Sequence, residues 1–266
     1  MSATHLLGET LRKIIGAKNH RALVAYRQAR QQARNEQKDD AQRAALYRRW
    51  IAPGQLVFDL GANLGNRARV FAGLGARVVA VEPQPHCHRA LRWQFALRPR
   101  VKVVGAAVGR DNTPQTMTQF DSDVLSSLSP DWIAAAKASG RFGELTDLAH
   151  LTVPCVTLDQ LIAAHGVPAF TKIDVEGYEA EVLAGLSQPC GTVSLEVTPE
   201  LPAVAEACLD KLAALGYAKF QLSLGESMEL SEHWSDLAAF RARLRQFAAD
   251  RGDFGDVYAL APGRSA

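Results

Sequence analysis

The chain has 266 residues, of which 47% are hydrophobic, and its 30 basic and 28 acidic side chains give a formal net charge of +2. This composition supports a folded core and excludes wholesale disorder, while the small net charge argues against a general nucleic-acid binder. No apolar run reaches the roughly 18 to 20 residues that cross a bilayer, and no secretory signal is visible. With four scattered cysteines, these features predict a cytoplasmic protein without stable membrane insertion and without a nucleic-acid partner.

The first 50 residues differ in charge from the rest, since they hold 11 Lys and Arg against 4 Asp and Glu. Apolar residues at helical spacing and a long Arg/Gln/Ala run predict helices, which end at Pro53-Gly54. We therefore expect an N-terminal helical extension, residues 1–50, laid against a main domain of residues 51–266. Its basic side chains form either a solvated helix face or a surface for an anionic substrate or lipid head groups.

From Gln55 onward, short apolar runs alternate with helical segments, which is typical of a mostly parallel sheet covered on both faces. The polar stretch 121–150 has no predicted element, and the last strand is expected to be antiparallel. The predicted strands are 56–58, 78–81, 101–107, 152–156, 170–174, 193–197, 219–224 and 256–260. The predicted helices are 64–75, 85–97, 157–165, 178–187, 200–215 and 235–250.

The first predicted strand leads into a glycine-containing turn, where Gly61 allows the backbone to come close to a ligand. The turn does not fit the dinucleotide pattern G-x-G-x-x-G, because Asn63 replaces its second glycine. An NAD-dependent oxidoreductase is retained only as an alternative. Asp59 suits a ligand with a cationic or amine centre, and Glu82, ending the second strand, can accept both hydroxyls of a ribose. S-adenosylmethionine combines these features.

Three stretches resemble the FkbM family of class I S-adenosylmethionine-dependent methyltransferases: 58–65, 81–83, and 156–159 together with 172–185. The resemblance covers about residues 54 to 200. It implies a Rossmann-like class I methyltransferase sandwich, with a mostly parallel seven-stranded sheet and an antiparallel last strand, in a methyltransferase domain over 51–266. It also implies methyl transfer to a hydroxyl oxygen of a secondary metabolite or of a sugar or glycan.

The resemblance also implies roles for individual residues. Asp59 would line the methionine end of the cofactor and Glu82 would hold its ribose. Ser126 or Ser127 would reach the cofactor or form a lid over it. The expected cofactor-binding residues are Asp59, Gly61, Ala62, Asn63, Gly65, Glu82, Pro83, Ala106, Ala107, Ser127 and Asp174.

Asp174 and Glu176 are expected to be catalytic. Two carboxylates two residues apart at the end of a strand can raise the pKa of one of them, which suits a general base. Lys172 would steady their charge. The alternatives are that Glu176 caps the following helix and that Lys172 forms an ion pair at the sheet edge. Glu196 is a further candidate acid. Asp174, Glu176 and Glu196 also leave Mg²⁺ open as an alternative, although the spacing predicts no metal site.

The expected partner is a small-molecule or glycan acceptor, and homo-oligomerisation is left open. A second class of function also stays open, in which the chain is a non-catalytic scaffold that keeps the cofactor fold and acts through its basic N-terminal helices.

Overall fold

The computed structural model describes residues 16–35, 37–120, 125–231, 233–250 and 253–264. The helices are α1 (Ala17–Asn35), α2 (Gln37–Tyr47), α3 (Asn66–Gly73), α4 (Pro85–Gln94), α5 (Pro130–Ser139), α6 (Leu158–His165), α7 (Glu179–Ala184), α8 (Pro202–Ala214) and α9 (Leu237–Ala249). The strands are β1 (Leu56–Leu60), β2 (Arg77–Val81), β3 (Val101–Val104), β4 (Ala107–Val108), β5 (Gln115–Phe120), β6 (Asp147–Val153), β7 (Cys155–Val156), β8 (Phe170–Ile173), β9 (Thr192–Val197), β10 (Phe220–Leu224) and β11 (Gly255–Ala259).

Seven strands form the main sheet in the order β10-β11-β9-β8-β1-β2-β3. The pairs β1–β2, β1–β8, β2–β3 and β8–β9 are parallel, whereas β11 runs antiparallel to both β9 and β10. The expected α/β fold, a mostly parallel seven-stranded sheet with an antiparallel last strand, is confirmed.

The core lies on both faces of this sheet, which explains why the central strands are apolar along their whole length. Every residue of β1 is buried. Phe58 packs with the cluster that includes residues of α6, α8 and α9, while Val57 packs with the cluster that includes residues of α2, α3 and α4. Because both faces of the sheet are covered by apolar packing, polar side chains collect at the ends of its strands.

The region between β3 and α6 differs from the prediction. The third strand ends at Val104 rather than at residue 107, and β4 pairs instead with β7 in a separate two-stranded sheet. The predicted strand 152–156 does not join the main sheet, because β6 pairs antiparallel with β5, a strand that was not predicted. The polar stretch also contains α5. Local signals support this helix, since Ser129 caps its first turn by accepting a hydrogen bond from the Trp132 N–H.

The N-terminal helices pack directly on the domain. The ring of Tyr26 in α1 meets Trp93 of α4 edge-on at 6.2 Å, and Trp50 stacks on Phe170 at 5.7 Å between ring centres. Tyr47, at the end of α2, is fully buried. The helical periodicity over the first 15 residues falls outside the described residues. Within the described part of the chain, no helix is both long and apolar enough to cross a membrane.

Candidate active site

A cavity of about 410 Å³ opens at the carboxyl ends of β1, β2, β8 and β9. Parallel sheets bind ligands at this edge, because the loops that follow the strands meet there. The structure therefore brings most of the predicted site residues together. The predicted residues that line the cavity are Asp59, Gly61, Asn63, Glu82, Pro83, Ala106, Ala107, Ser126, Lys172, Asp174, Glu176 and Glu196.

Three of the predicted cofactor-binding residues do not line this cavity. Ala62 belongs to the apolar core, and a Cβ added to Gly65 would lie 2.7 Å from the side chain of Leu91 in α4. The hydroxyl of Ser127 donates a hydrogen bond to the carbonyl oxygen of Glu176 at 2.6 Å. These three residues shape the surroundings of the cavity rather than its surface.

Asp59 is buried on β1, with 2% of its surface exposed. Its carboxyl accepts a hydrogen bond from the backbone N–H of Ala68 in the first turn of α3. Burial raises its pKa from 3.8 to about 7, although the positive charges of Lys172 and Arg67 act in the opposite direction. Its Oδ2 atom has no hydrogen-bond partner within the described part of the chain. Asp59 thus places a carboxyl group with a raised pKa in the lining of the cavity.

The carboxylate of Glu82 joins the two loops that follow β1 and β2. Its Oε2 accepts the backbone N–H of Asn63 and its Oε1 accepts that of Gln84, both at 2.8 Å. Glu82 is 2% exposed and lines the cavity. Its carboxylate therefore supports both loops at the cavity wall.

The turn between β8 and α7 holds Glu176 in a left-handed conformation, with φ of 55°, which is uncommon for a residue with a side chain. The carboxylate of Glu179 accepts the backbone N–H groups of Val175 and Gly177 at 3.1 and 3.2 Å. The alternative that Glu176 caps the helix is wrong, because the N-cap residue of α7 is Tyr178 and no side chain makes a capping hydrogen bond there. The side chain of Glu176 lines the cavity instead.

Asp174, Glu176 and Glu196 each place a carboxylate oxygen within 4.8 Å of the others. Burial, followed by the negative charge of Asp174, raises the pKa of Glu176 and of Glu196 well above 4.5. These two glutamates therefore hold protons more tightly than ordinary ones, which suits proton exchange with a ligand. The same three carboxylates are a group that could hold a metal ion, so Mg²⁺ stays a hypothesis for this site.

Lys172 lies in the interior of the sheet and not at its edge, since β8 pairs with β1 on one side and β9 on the other. Its Nζ donates to Asp256 Oδ1 at 2.7 Å and lies 3.4 Å from Asp174 Oδ2. Both Lys172 and Asp256 are 1% exposed. Sequence analysis did not find Asp256, because nothing in the last strand marks it as the partner of a lysine 84 residues earlier.

A cluster of arginines borders the cavity on the side of α3, and sequence analysis did not single it out. Arg67 donates from Nη2 to both carboxylate oxygens of Glu226, at 2.7 and 2.9 Å, and Arg43 of α2 donates to the same carboxylate at 3.0 Å. Arg67 is 6% exposed, and its Nη1 has no hydrogen-bond partner among the described residues. The only sequence signal was an arginine in the first turn of the helix after the glycine turn.

The outer wall of the cavity comes from the insertion between β3 and α6. It contributes Met117, Leu128, Trp132 and Phe142, which are apolar, together with Arg141. The guanidinium of Arg141 is held by Glu200 at 2.6 Å and by Asp253 at 2.8 Å. One side of the cavity is thus charged and the other mainly apolar.

Comparison with known proteins gives a family match over most of the site. The family model described as "Methyltransferase FkbM domain" matches residues 59–219. The 31-O-demethyl-FK506 methyltransferase FkbM of Streptomyces tacrolimicus is 35% identical over 162 residues, which cover 51% of this chain and 61% of that protein. The chain thus spans about three fifths of the length of this curated relative.

Solved structures show a weaker similarity. A precorrin-6y C5,15-methyltransferase from Geobacter metallireducens has a TM-score of 0.43 at 11% identity, over 83% of this chain and 86% of that one. A TehB-like SAM-dependent methyltransferase from Corynebacterium glutamicum has a TM-score of 0.43 at 9% identity, over 89% and 97% of the two chains. Similarity at this level does not bear on function.

Proposed function

Because the chain belongs to the FkbM methyltransferase family, we propose that it transfers the methyl group of S-adenosylmethionine to a hydroxyl oxygen of a secondary metabolite or of a sugar. The observation that carries this proposal is the convergence of Asp59, Glu82 and the Asp174–Glu176–Glu196 carboxylates on one cavity. Asp59 suits the amino-acid end of the cofactor and Glu82 suits its ribose. The other three carboxylates suit binding of the acceptor hydroxyl and removal of its proton.

The buried polar atoms of the cavity fit the amino-acid end of the cofactor. That end carries an ammonium and a carboxylate. Among the described residues, the cavity lining holds two buried acceptors without a hydrogen-bond partner, Asp59 Oδ2 and Asp256 Oδ2, and one such donor, Arg67 Nη1. In this proposal Asp59 accepts from the ammonium and Arg67 donates to the carboxylate. Charge-assisted hydrogen bonds of this kind are stronger than neutral ones.

In this proposal the carboxylate of Glu82, which lines the cavity, accepts from the two ribose hydroxyls, as the sequence predicts. Ala106 and Ala107, which are buried at the cavity wall, leave room for a flat ring such as adenine. When bound, S-adenosylmethionine supplies an electrophilic methyl group on a positively charged sulfur, and the electrons of the broken bond remain on that sulfur.

The protein's part in the reaction is to position the acceptor and to take its proton. Asp174 is the proposed base, because it borders the cavity with a third of its side chain exposed and lies beside the Lys172 ammonium. The proton of the acceptor hydroxyl moves to its carboxylate as the oxygen attacks the methyl group. Glu176 and Glu196, which hold protons tightly, donate hydrogen bonds that orient the acceptor oxygen. Orientation of this kind is a large part of catalysis in an in-line transfer.

Two observations support an oxygen acceptor of partly apolar character. The name of the Streptomyces tacrolimicus relative specifies a 31-O-demethyl compound, 31-O-demethyl-FK506, as what that protein methylates. The outer wall of the cavity is lined by Trp132, Phe142 and other apolar side chains that can pack against carbon surfaces.

The first test is calorimetric titration with S-adenosylhomocysteine. We expect a micromolar Kd for the wild-type protein and binding at least about 30-fold weaker for Glu82→Ala, since hydrogen bonds to a charged group contribute about 1.5–3 kcal/mol each. Glu229→Ala, which removes an exposed glutamate, is the matched control and should bind as the wild type does. Absence of binding to the wild-type protein would overturn the proposal, and binding of NADH instead would favour the oxidoreductase.

The second test measures turnover with S-adenosylmethionine and a panel of hydroxylated metabolites and sugars. Asp174→Asn should lose turnover by about 100-fold or more, the range of general-base contributions, while keeping most of its affinity for S-adenosylhomocysteine. Methylation at the wild-type rate by this variant would refute the role of Asp174. Cofactor binding without turnover on any hydroxylated acceptor would favour the scaffold.

A further inference from the structure

One surface of the protein is strongly basic. It is formed by α1, by α4 with the residues that follow it, and by β3, the strand at one edge of the main sheet. Residues 17–35 and 76–105 together contain eleven lysines and arginines and a single acidic residue, Glu82, which is buried. The surface, called the basic face below, therefore has no exposed carboxylate of its own in these two segments.

The elements of the basic face are in contact, so their charges add. The Arg89 side chain of α4 donates to Asn19 of α1, and Tyr26 of α1 meets Trp93 of α4. A shallow groove runs along α4 between His88, Arg89, Arg92 and Trp93. Arg98, Arg100 and Lys102 continue the charge from the end of α4 into the edge strand, and all three are exposed.

The basic face also exposes large apolar side chains. Leu97 is 95% exposed and Trp93 is 40% exposed. Trp93 is in the last turn of α4, and Leu97 lies in the turn that follows this helix. Exposure of a leucine to water, here beside Arg98 and Arg100 in the sequence, does not stabilise the fold. Tryptophan and leucine beside a cluster of basic residues are, however, the side chains that surface-bound proteins place at the boundary between lipid head groups and acyl chains.

We propose that the basic face docks the protein on the surface of a membrane that contains anionic lipids. The arginines and lysines contact the phosphate groups of the lipids, and Leu97 and Trp93 enter the boundary layer between head groups and acyl chains. The proposal concerns attachment to the membrane surface and is independent of the methyl-transfer proposal, since none of these side chains lines the cavity.

A membrane accounts for the surface better than a nucleic acid does. Both partners would neutralise the positive charges, but proteins that bind single-stranded nucleic acid also use aromatic rings on which the bases stack. Here the ring of Trp93 is packed edge-on against Tyr26, and the most exposed apolar side chain, Leu97, has no face on which a base can stack.

The test is co-sedimentation of the full chain with vesicles of phosphatidylcholine, with and without phosphatidylglycerol. We expect binding only to the anionic vesicles, weakened by salt. Arg92→Glu/Arg98→Glu should reduce it more than tenfold and Leu97→Ser several-fold. The matched control is Arg243→Glu/Arg245→Glu, which makes the same charge change on α9, a helix packed near β10 at the opposite edge of the sheet. This control should bind as the wild type does.

Three outcomes would overturn the proposal. The first is that the protein binds neutral and anionic vesicles equally well. The second is that the Arg243→Glu/Arg245→Glu control loses as much vesicle binding as Arg92→Glu/Arg98→Glu does. The third is tight binding of single-stranded RNA that Arg92→Glu/Arg98→Glu removes while its vesicle binding persists. The substituted side chains are all exposed, so the thermal unfolding midpoints of the variants should stay close to that of the wild type. A loss of vesicle binding is then not due to unfolding.

Discussion

Asp59 illustrates how its surroundings change the chemistry of a single side chain. On an exposed loop it would be an ordinary carboxylate, but burial on β1 raises its pKa to about 7, despite the nearby positive charges of Lys172 and Arg67. Its protonation therefore changes within the physiological range. Only the ionised form can make an ion pair with the cofactor's ammonium.

This pKa predicts the pH dependence of cofactor binding. The affinity for S-adenosylhomocysteine should increase by up to about tenfold as the pH rises from about 6 to about 8, because Asp59 becomes ionised. Titration calorimetry at several pH values should show this rise in affinity for the wild-type protein. Asp59→Asn should bind more weakly, with an affinity that varies less with pH.

The same shift has a consequence for stability. Since the folded state binds the Asp59 proton more tightly than the unfolded state, whose pKa is near 3.8, the free energy of unfolding should fall as the pH rises from about 4 to about 7. Urea denaturation of the wild-type protein and of Asp59→Asn should show a stability difference that changes in this direction. A difference independent of pH would contradict the raised pKa.

At the scale of elements, the site depends on close contact between two turns. The turn after β1 passes so close to the end of β8 that a Cβ on Gly61 would lie 1.7 Å from the carbonyl oxygen of Asp174. The backbone of Gly61 is also left-handed, with φ of 78°. Contact between these turns brings Asp59 and Asp174 to the same cavity.

Gly61→Ala should therefore destabilise the protein and impair the site. Gly54 is a matched control, because its φ of 83° is similar but no atom lies within 4 Å of an added Cβ. Gly54→Ala should cost about 1–2 kcal/mol for the left-handed backbone alone. Gly61→Ala should cost at least about 2 kcal/mol more, since the clash with Asp174 displaces one of the turns. Equal free energies of unfolding for the two variants would show that the turns are not in contact.

Across the whole molecule, the buried pair of Lys172 and Asp256 connects the centre of the sheet to its antiparallel last strand. A buried ion pair adds little net stability, but removing one partner leaves an uncompensated buried charge. The position of β11 between β9 and β10 brings Asp256 to Lys172.

Lys172→Met should therefore lower the free energy of unfolding by about 3–5 kcal/mol, as measured by urea denaturation. Adding Asp256→Leu to that variant should recover at least half of the loss, because the buried charge left alone is removed. A double variant no more stable than Lys172→Met would show that the two charges do not compensate each other.

The sequence by itself determined the features that depend on residues close to one another along the chain. Apolar runs predicted the strands of the main sheet, since a strand covered on both faces is apolar along its length. The glycine turn with Asp59, the strand-end Glu82, and the pair Asp174 and Glu176 were also visible, because each lies at the end of such a run. All of them line the cavity.

Only the tertiary structure decided which distant residues meet. The pairs Lys172 with Asp256 and Arg67 with Glu226 join residues 84 and 159 positions apart. The strand β5 escaped prediction because its sequence, Gln115–Phe120, contains no apolar run. It pairs with β6 outside the main sheet. The order of strands sets such contacts, and that order follows from the packing of the whole chain rather than from the periodicity of any one segment.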